Sequence, residues 1–259
     1  MISASVSRTA ATVRLITREY PEYLAILLCA SAWIEILALQ RNGGMLCHVA
    51  SPLDPAYLSV TTLLGLAASG KHLATIALHW LLMVLAMMLP VQIASLRRLA
   101  GRSLWNRRYR NTALALIGYC LPWVAAGCAA ELALSLLPGP AREFLPAAAL
   151  VVAAVWQLAP AKRRTLIRCH PEPLLAPTGW KGDRDCLKFG LLLARRCGLS
   201  CWAVMLACAA NQHALWAMAL ASLVLWTERF RPQTKLAWSA AALTAAAAVV
   251  IIQAIGGNL

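Results

Sequence analysis

His72, His79, Met83 and Met87 are separated by 7, 4 and 4 residues, with Met88 beside them. In a helix those intervals line side chains along one face. Imidazole binds many divalent transition metals, and thioether sulfur suits Cu(I). A second stripe, Cys197, Cys201, Met205 and Cys208, has intervals of 4, 4 and 3 and again shares a face. Thiols one turn apart can bind a soft metal, or pack as small apolar side chains. Cys128 and Glu131 lie one turn apart in another apolar run, and Glu35 lies in a third. His213 follows the second stripe across the break Asn211-Gln212-His213. A charge at mid-membrane depth costs roughly 2.5–3.5 kcal/mol, so such groups mark function by default. Glu35 and Glu131 are therefore expected to face the bundle interior. The candidate metal ligands are His72, His79, Met83, Met87, Cys128, Glu131, Cys197, Cys201 and His213, with Cys47 and His48 covering them from a loop. A pocket of this composition can hold a metal ion or relay protons. Alternatively, it is a structural Glu–His or Glu–Arg pair.

The elements that must position these residues are membrane helices. Of 259 residues, 61% are hydrophobic and only 13% charged, against about 25% charged in an ordinary soluble domain. The composition excludes a disordered chain and disfavours a soluble enzyme. The expected fold is all-α, one polytopic transmembrane bundle over residues 1–259. About seven spans are expected, near 23–40, 72–96, 112–136, 144–160, 190–210, 214–228 and 236–255. Leu58 to Ala68 is apolar but too short to cross, so it is expected to be interfacial or re-entrant. Pro90 should kink or break the second span. Ala161 to Leu187 reads as the longest polar connection, carrying Cys169-His170.

The net charge of +14 is a topology signal. Lys and Arg collect on the cytoplasmic flanks of membrane helices. With the N-terminus inside, only Arg41, Lys71 and Arg142 of the 24 basic residues fall outside. That separation points to a bacterial inner (cytoplasmic) membrane protein with the bilayer as partner and no nucleic acid. Of nine cysteines only Cys47 falls clearly in an outside loop, so a disulfide framework is not expected. No nucleophile elbow, P-loop, dinucleotide fingerprint or zinc-protease motif occurs, and no catalytic residue is assigned. Haem ligation from His72 or His79 would need a second ligand from another helix.

Three motifs carry a resemblance. They are Ala86-Met87-Met88-Leu89-Pro90, then Gln157-Leu158-Ala159-Pro160-Ala161-Lys162, then Cys197-Gly198-Leu199-Ser200-Cys201-Trp202 with Met205 and Trp216. Together, over about 74–230, the chain resembles the bacterial "predicted metal-binding integral membrane protein" family. The resemblance implies a six- or seven-helix membrane protein that handles metal. This chain departs from the family pattern in three places. Ser200 stands where the pattern has a second cysteine, Leu193 at a histidine position, and Gln212-His213 where it has Met-Asn. The leading expectation is an integral membrane metal-handling protein for delivery or transport of copper or another transition metal. The alternative is a non-catalytic accessory subunit of a larger membrane enzyme, with other membrane subunits as partners.

Overall fold

Pro90 shapes the longest rod in the molecule. Its ring has no N–H to donate, and it excludes the carbonyl four residues back, that of Ala86. The chain answers with a single π turn, Val84–Met88, between α2 (Gly70–Met83) and α3 (Leu89–Arg102). Pro90 sits in the first turn of α3, where a missing N–H is tolerated. The freed Ala86 carbonyl accepts from Trp33 Nε1 at 3.0 Å and from Cys29 Sγ at 3.3 Å. Both donors lie on α1 (Glu22–Arg41), so the proline also fixes where α1 docks.

The computed structural model describes residues 22–41, 70–135, 139–167, 176, 179–211, 213–230 and 236–256. Every regular element among them is helical. After α3, a short 3-10 turn (Trp105–Arg107) leads into α4 (Arg108–Ser135). The chain continues through α5 (Gly139–Leu158), α6 (Pro160–Ile167), α7 (Gly179–Ala210), α8 (Leu215–Phe230) and α9 (Leu236–Gly256). A helix stands at each of the seven expected stretches. Three segments, Leu73–Arg102, Trp105–Leu134 and Gly179–Ala210, are long and apolar enough to cross a membrane. Tyr23–Leu39, Phe144–Leu158 and Trp238–Ile251 are shorter apolar helices. The Leu58 to Ala68 segment lies outside the described residues.

One boundary differs from expectation by three turns. α7 begins at Gly179, within the stretch read as a polar connection, and runs for 32 residues. At 1.5 Å per residue it is about 48 Å long, well beyond a hydrocarbon core of about 30 Å. The extra turns are held by charge. Asp183 receives Arg107 and Arg110, each at 2.6 Å, from the start of α4 and the turn before it.

α4 and α7 pack backbone against backbone because a glycine on each faces a backbone carbonyl of the other. A Cβ on Gly118 would lie 2.4 Å from the Leu187 carbonyl oxygen, and one on Gly190 would lie 2.1 Å from that of Ala115. Gly190→Ala is expected to force the pair apart and cost about 1–3 kcal/mol, the usual penalty for overpacking. A thermal-unfolding comparison in detergent checks this, and an unchanged midpoint refutes it. α5 meets α9 in the same economical way, through Ala149, Ala153, Ala240 and Ala247 around the buried Leu243. Apolar side chains point outward instead at Ile34, Leu121, Phe144, Leu223 and Trp238, which are 62–75% exposed.

Candidate metal centre

Two places in the bundle gather metal-binding side chains. The first is built from sulfur. Cys197 and Cys201 sit one turn apart on α7, buried, with their Sγ atoms 3.3 Å apart. Met88 closes the π turn and faces them, its Sδ 4.0 Å from each Sγ. In a regular helix Met87 repeats the position of Met83. The π turn inserts a residue, so Met88 takes that register (five residues on) and reaches the thiols. A triangle with sides of 3.3, 4.0 and 4.0 Å has its centre about 2.2 Å from every corner. A metal–thiolate bond is about 2.3 Å, so one ion fits between the three sulfurs without rearrangement. Two thiols and a thioether form a donor set that selects Cu(I). The Tyr119 hydroxyl, fully buried on α4, donates to Cys197 Sγ at 3.3 Å. Cys201 Sγ meanwhile donates to the Cys197 carbonyl at 2.6 Å.

The second place lies about two and a half turns away along the same two helices. His213 stands in the turn after α7 with φ +54°, a left-handed backbone that is uncommon outside glycine. Its N–H donates to the Cys208 carbonyl at 2.9 Å, which ties the turn back to the helix. Asn211 beside it donates to the carbonyl of Pro146 on α5 at 3.4 Å. So held, the His213 ring meets the His79 ring edge-on, with centroids 4.6 Å apart. Its Nδ1 lies 3.9 Å from Glu131 Oε1 on α4. Trp80 walls the site 5.3 Å from His213, in space that Gly127 leaves open. Burial, with His79 beside it, pushes the His213 pKa down to about 3, so the imidazole is neutral at ordinary pH. Neutral imidazole is the metal-binding form.

The structure therefore divides the expected ligands between two sites about 13 Å apart along the rod. Cys197 and Cys201 lie at the sulfur cluster, and His79, His213 and Glu131 lie at the histidine site. Cys128 is half-buried on α4, one turn before Glu131. Met83 and Met87 are fully buried within the rod. His72 is on α2, and its side chain is outside the described residues, as are Cys47, His48, Cys169 and His170. Among the described residues no three His, Cys, Asp or Glu side chains converge on one ion, and the sulfur cluster is completed only by a methionine. Glu35 overturns an expectation. It is exposed, because α1 buries Ala25, Ala32 and Ile36 and turns Glu35 away from the core.

Two further groups escape a linear reading of the sequence. Met88 is invisible as a ligand while regular helix spacing is assumed; the proline two residues later was the available signal. Lys162 reads as one more basic flank residue. In fact it is fully buried and bonds Glu228 on α8 at 2.8 Å. The signal was an acid at the end of the apolar run from Leu215, which demands a partner.

The family model for the PpoB2 copper chaperone matches residues 77–252. No curated protein and no solved structure matches the chain. The matched region contains every residue of the sulfur cluster and of the His79–His213–Glu131 site. The match supports a copper-related family, while the integral membrane family named from motifs remains a resemblance. A match over well more than half of the sequence settles membership: the chain belongs to the PpoB2 copper chaperone family.

Proposed function

We propose that this protein is an integral membrane chaperone that holds Cu(I) as cargo between Cys197, Cys201 and Met88. The triangle of sulfurs carries this reading, because its centre lies at a metal–sulfur bond length from all three atoms. Burial supports it too. Cys197, Cys201 and Met88 are at most 5% exposed, so bound Cu(I) is shielded from water and oxidants. The three membrane-length helices and the outward apolar side chains support residence in a bilayer. The arginines clustered between α3 and α4 support a cytoplasmic placement of that end. The reading then extends to about seven spans in the bacterial inner membrane, with the N-terminus inside and lipid as the surrounding partner. His79, His213, Glu131 and Cys128 would lie towards the outer surface.

The test is Cu(I) titration of the purified protein against a chromogenic Cu(I) chelator, under anaerobic reducing conditions. The expected result is one tightly held Cu(I) per chain with only sulfur neighbours in its X-ray absorption spectrum. Absence of a tight equivalent, or one bound through nitrogen or oxygen, overturns the reading.

A further inference from the structure

His79 holds both ring nitrogens out of solvent, and among the described residues neither has a hydrogen-bond partner. A buried polar group left unpaired is destabilising, so its persistence needs a reason. The residue facing it supplies one. His213 is held in a left-handed backbone, an unfavourable conformation of the kind that clusters at ligand clamps. The two rings meet edge-on with centroids 4.6 Å apart, and Glu131 Oε1 lies 3.9 Å from His213 Nδ1. Metal-bound histidines characteristically turn their second nitrogen towards a carboxylate, which fixes the tautomer and the ring orientation. With Nδ1 on the Glu131 side, Nε2 is the nitrogen that would bind an ion shared with His79.

We propose that His79 and His213 form a second Cu(I) site, a docking station from which the ion passes to the sulfur cluster. Two imidazoles suffice for Cu(I) once the rings part, because an ion in line between two ring nitrogens at about 2 Å each sets the centroids about 6 Å apart, against 4.6 Å in the structure. Glu131 is a positioning residue rather than a ligand. The two sites face each other along the same pair of helices. His79 and Met88 are nine residues apart on the rod, about 13 Å at the helical rise. Met83 lies between them, one turn from His79 and five residues from Met88 across the π turn, and it is fully buried. Met205, one turn beyond Cys201 on α7, is buried at the same height. The transfer is a ligand exchange in which copper stays Cu(I) and no electron moves. Each thiol that binds the ion gives up its proton to solvent. The order of sites runs from harder nitrogen to softer sulfur, the direction of increasing preference for Cu(I).

This inference rests on the sulfur cluster as the tight site, and the test separates the two. The full chain is titrated with Cu(I), and in parallel with Ag(I) as a redox-inert substitute. Wild type is expected to take a second, weaker equivalent with nitrogen neighbours. His79→Ala and His213→Asn should lose that equivalent, keep the first, and load the sulfur cluster ~10-fold or more slowly at limiting metal. Asparagine tolerates the left-handed backbone, so the turn survives that change. Should His79→Ala fail to fold, Glu131→Gln keeps both imidazoles and should weaken the second equivalent by about 10–100-fold. A second equivalent and loading rate unchanged in His213→Asn or Glu131→Gln overturn the docking station. Loss of the first equivalent alone, in Cys197→Ser, leaves it standing. A wild type that binds no metal at sulfur overturns the chaperone reading, while the nitrogen-bound equivalent still decides this one.

Discussion

Cys201→Ser is expected to abolish tight Cu(I) binding, and Cys197→Ser to do the same. Each removes one of only two thiols in the cluster and leaves an oxygen that Cu(I) does not favour. The loss should exceed the about 10–100-fold typical of changing a group outside the ligand set. Met88→Leu is the informative companion. A leucine conserves core volume and costs less than about 1.5 kcal/mol in packing, so the fold is retained. It removes the neutral third donor but neither thiol, so affinity should fall by less than in the cysteine variants. X-ray absorption should show three sulfur neighbours in the wild type and two in Met88→Leu. Competition against a Cu(I) chelator ranks the three variants. Cysteine variants that hold copper as tightly as the wild type would remove the cluster from the mechanism.

Lys162→Met destabilises the protein by about 3–5 kcal/mol, because it strands the Glu228 carboxylate in the core. The lysine is fully buried, and the acid is 4% exposed, so water cannot take over the missing partner. The pair also joins α6 to the end of α8, so its loss is expected to loosen that corner of the bundle. Removing both charges behaves differently. Lys162→Met with Glu228→Leu leaves no orphaned ion, and replacing a buried pair with apolar groups is often neutral or stabilising. Unfolding in detergent should show a large drop for the single variant and substantial recovery for the double. Equal losses in both would mean that packing, rather than charge, carries the contact.

The helices were legible in the sequence where apolar runs end at proline, glycine or clustered arginine. The start of α7 was not. Its first turns carry Lys181, Asp183, Arg184 and Asp185, a composition that reads as a loop until Arg107 and Arg110 are seen to grip Asp183. Cys197 and Cys201 were legible as a pair, because an interval of four needs only a regular helix. Their partner was not, since the same regularity pointed to Met87. His79 and His213 were singled out individually, but they are 134 positions apart in the chain, and only the antiparallel course of the rod and α7 brings the rings together. Glu35 misled for a simple reason. An acid in an apolar helix suggests burial, but which way it faces is set by the neighbours of α1, about which its own sequence is silent.

The π turn makes the chain's chemistry depend on a residue count. Excising one amino acid between Met83 and Met88 would rewind the rod and swing its upstream half by about 100° against its downstream half. His79 and Met88 could then no longer face α7 together. Every side chain of the two proposed copper sites would still be encoded, yet the two stations would be out of phase. A gap of a single codon here would thus do what no single substitution can: uncouple the sites while leaving both sets of ligands intact.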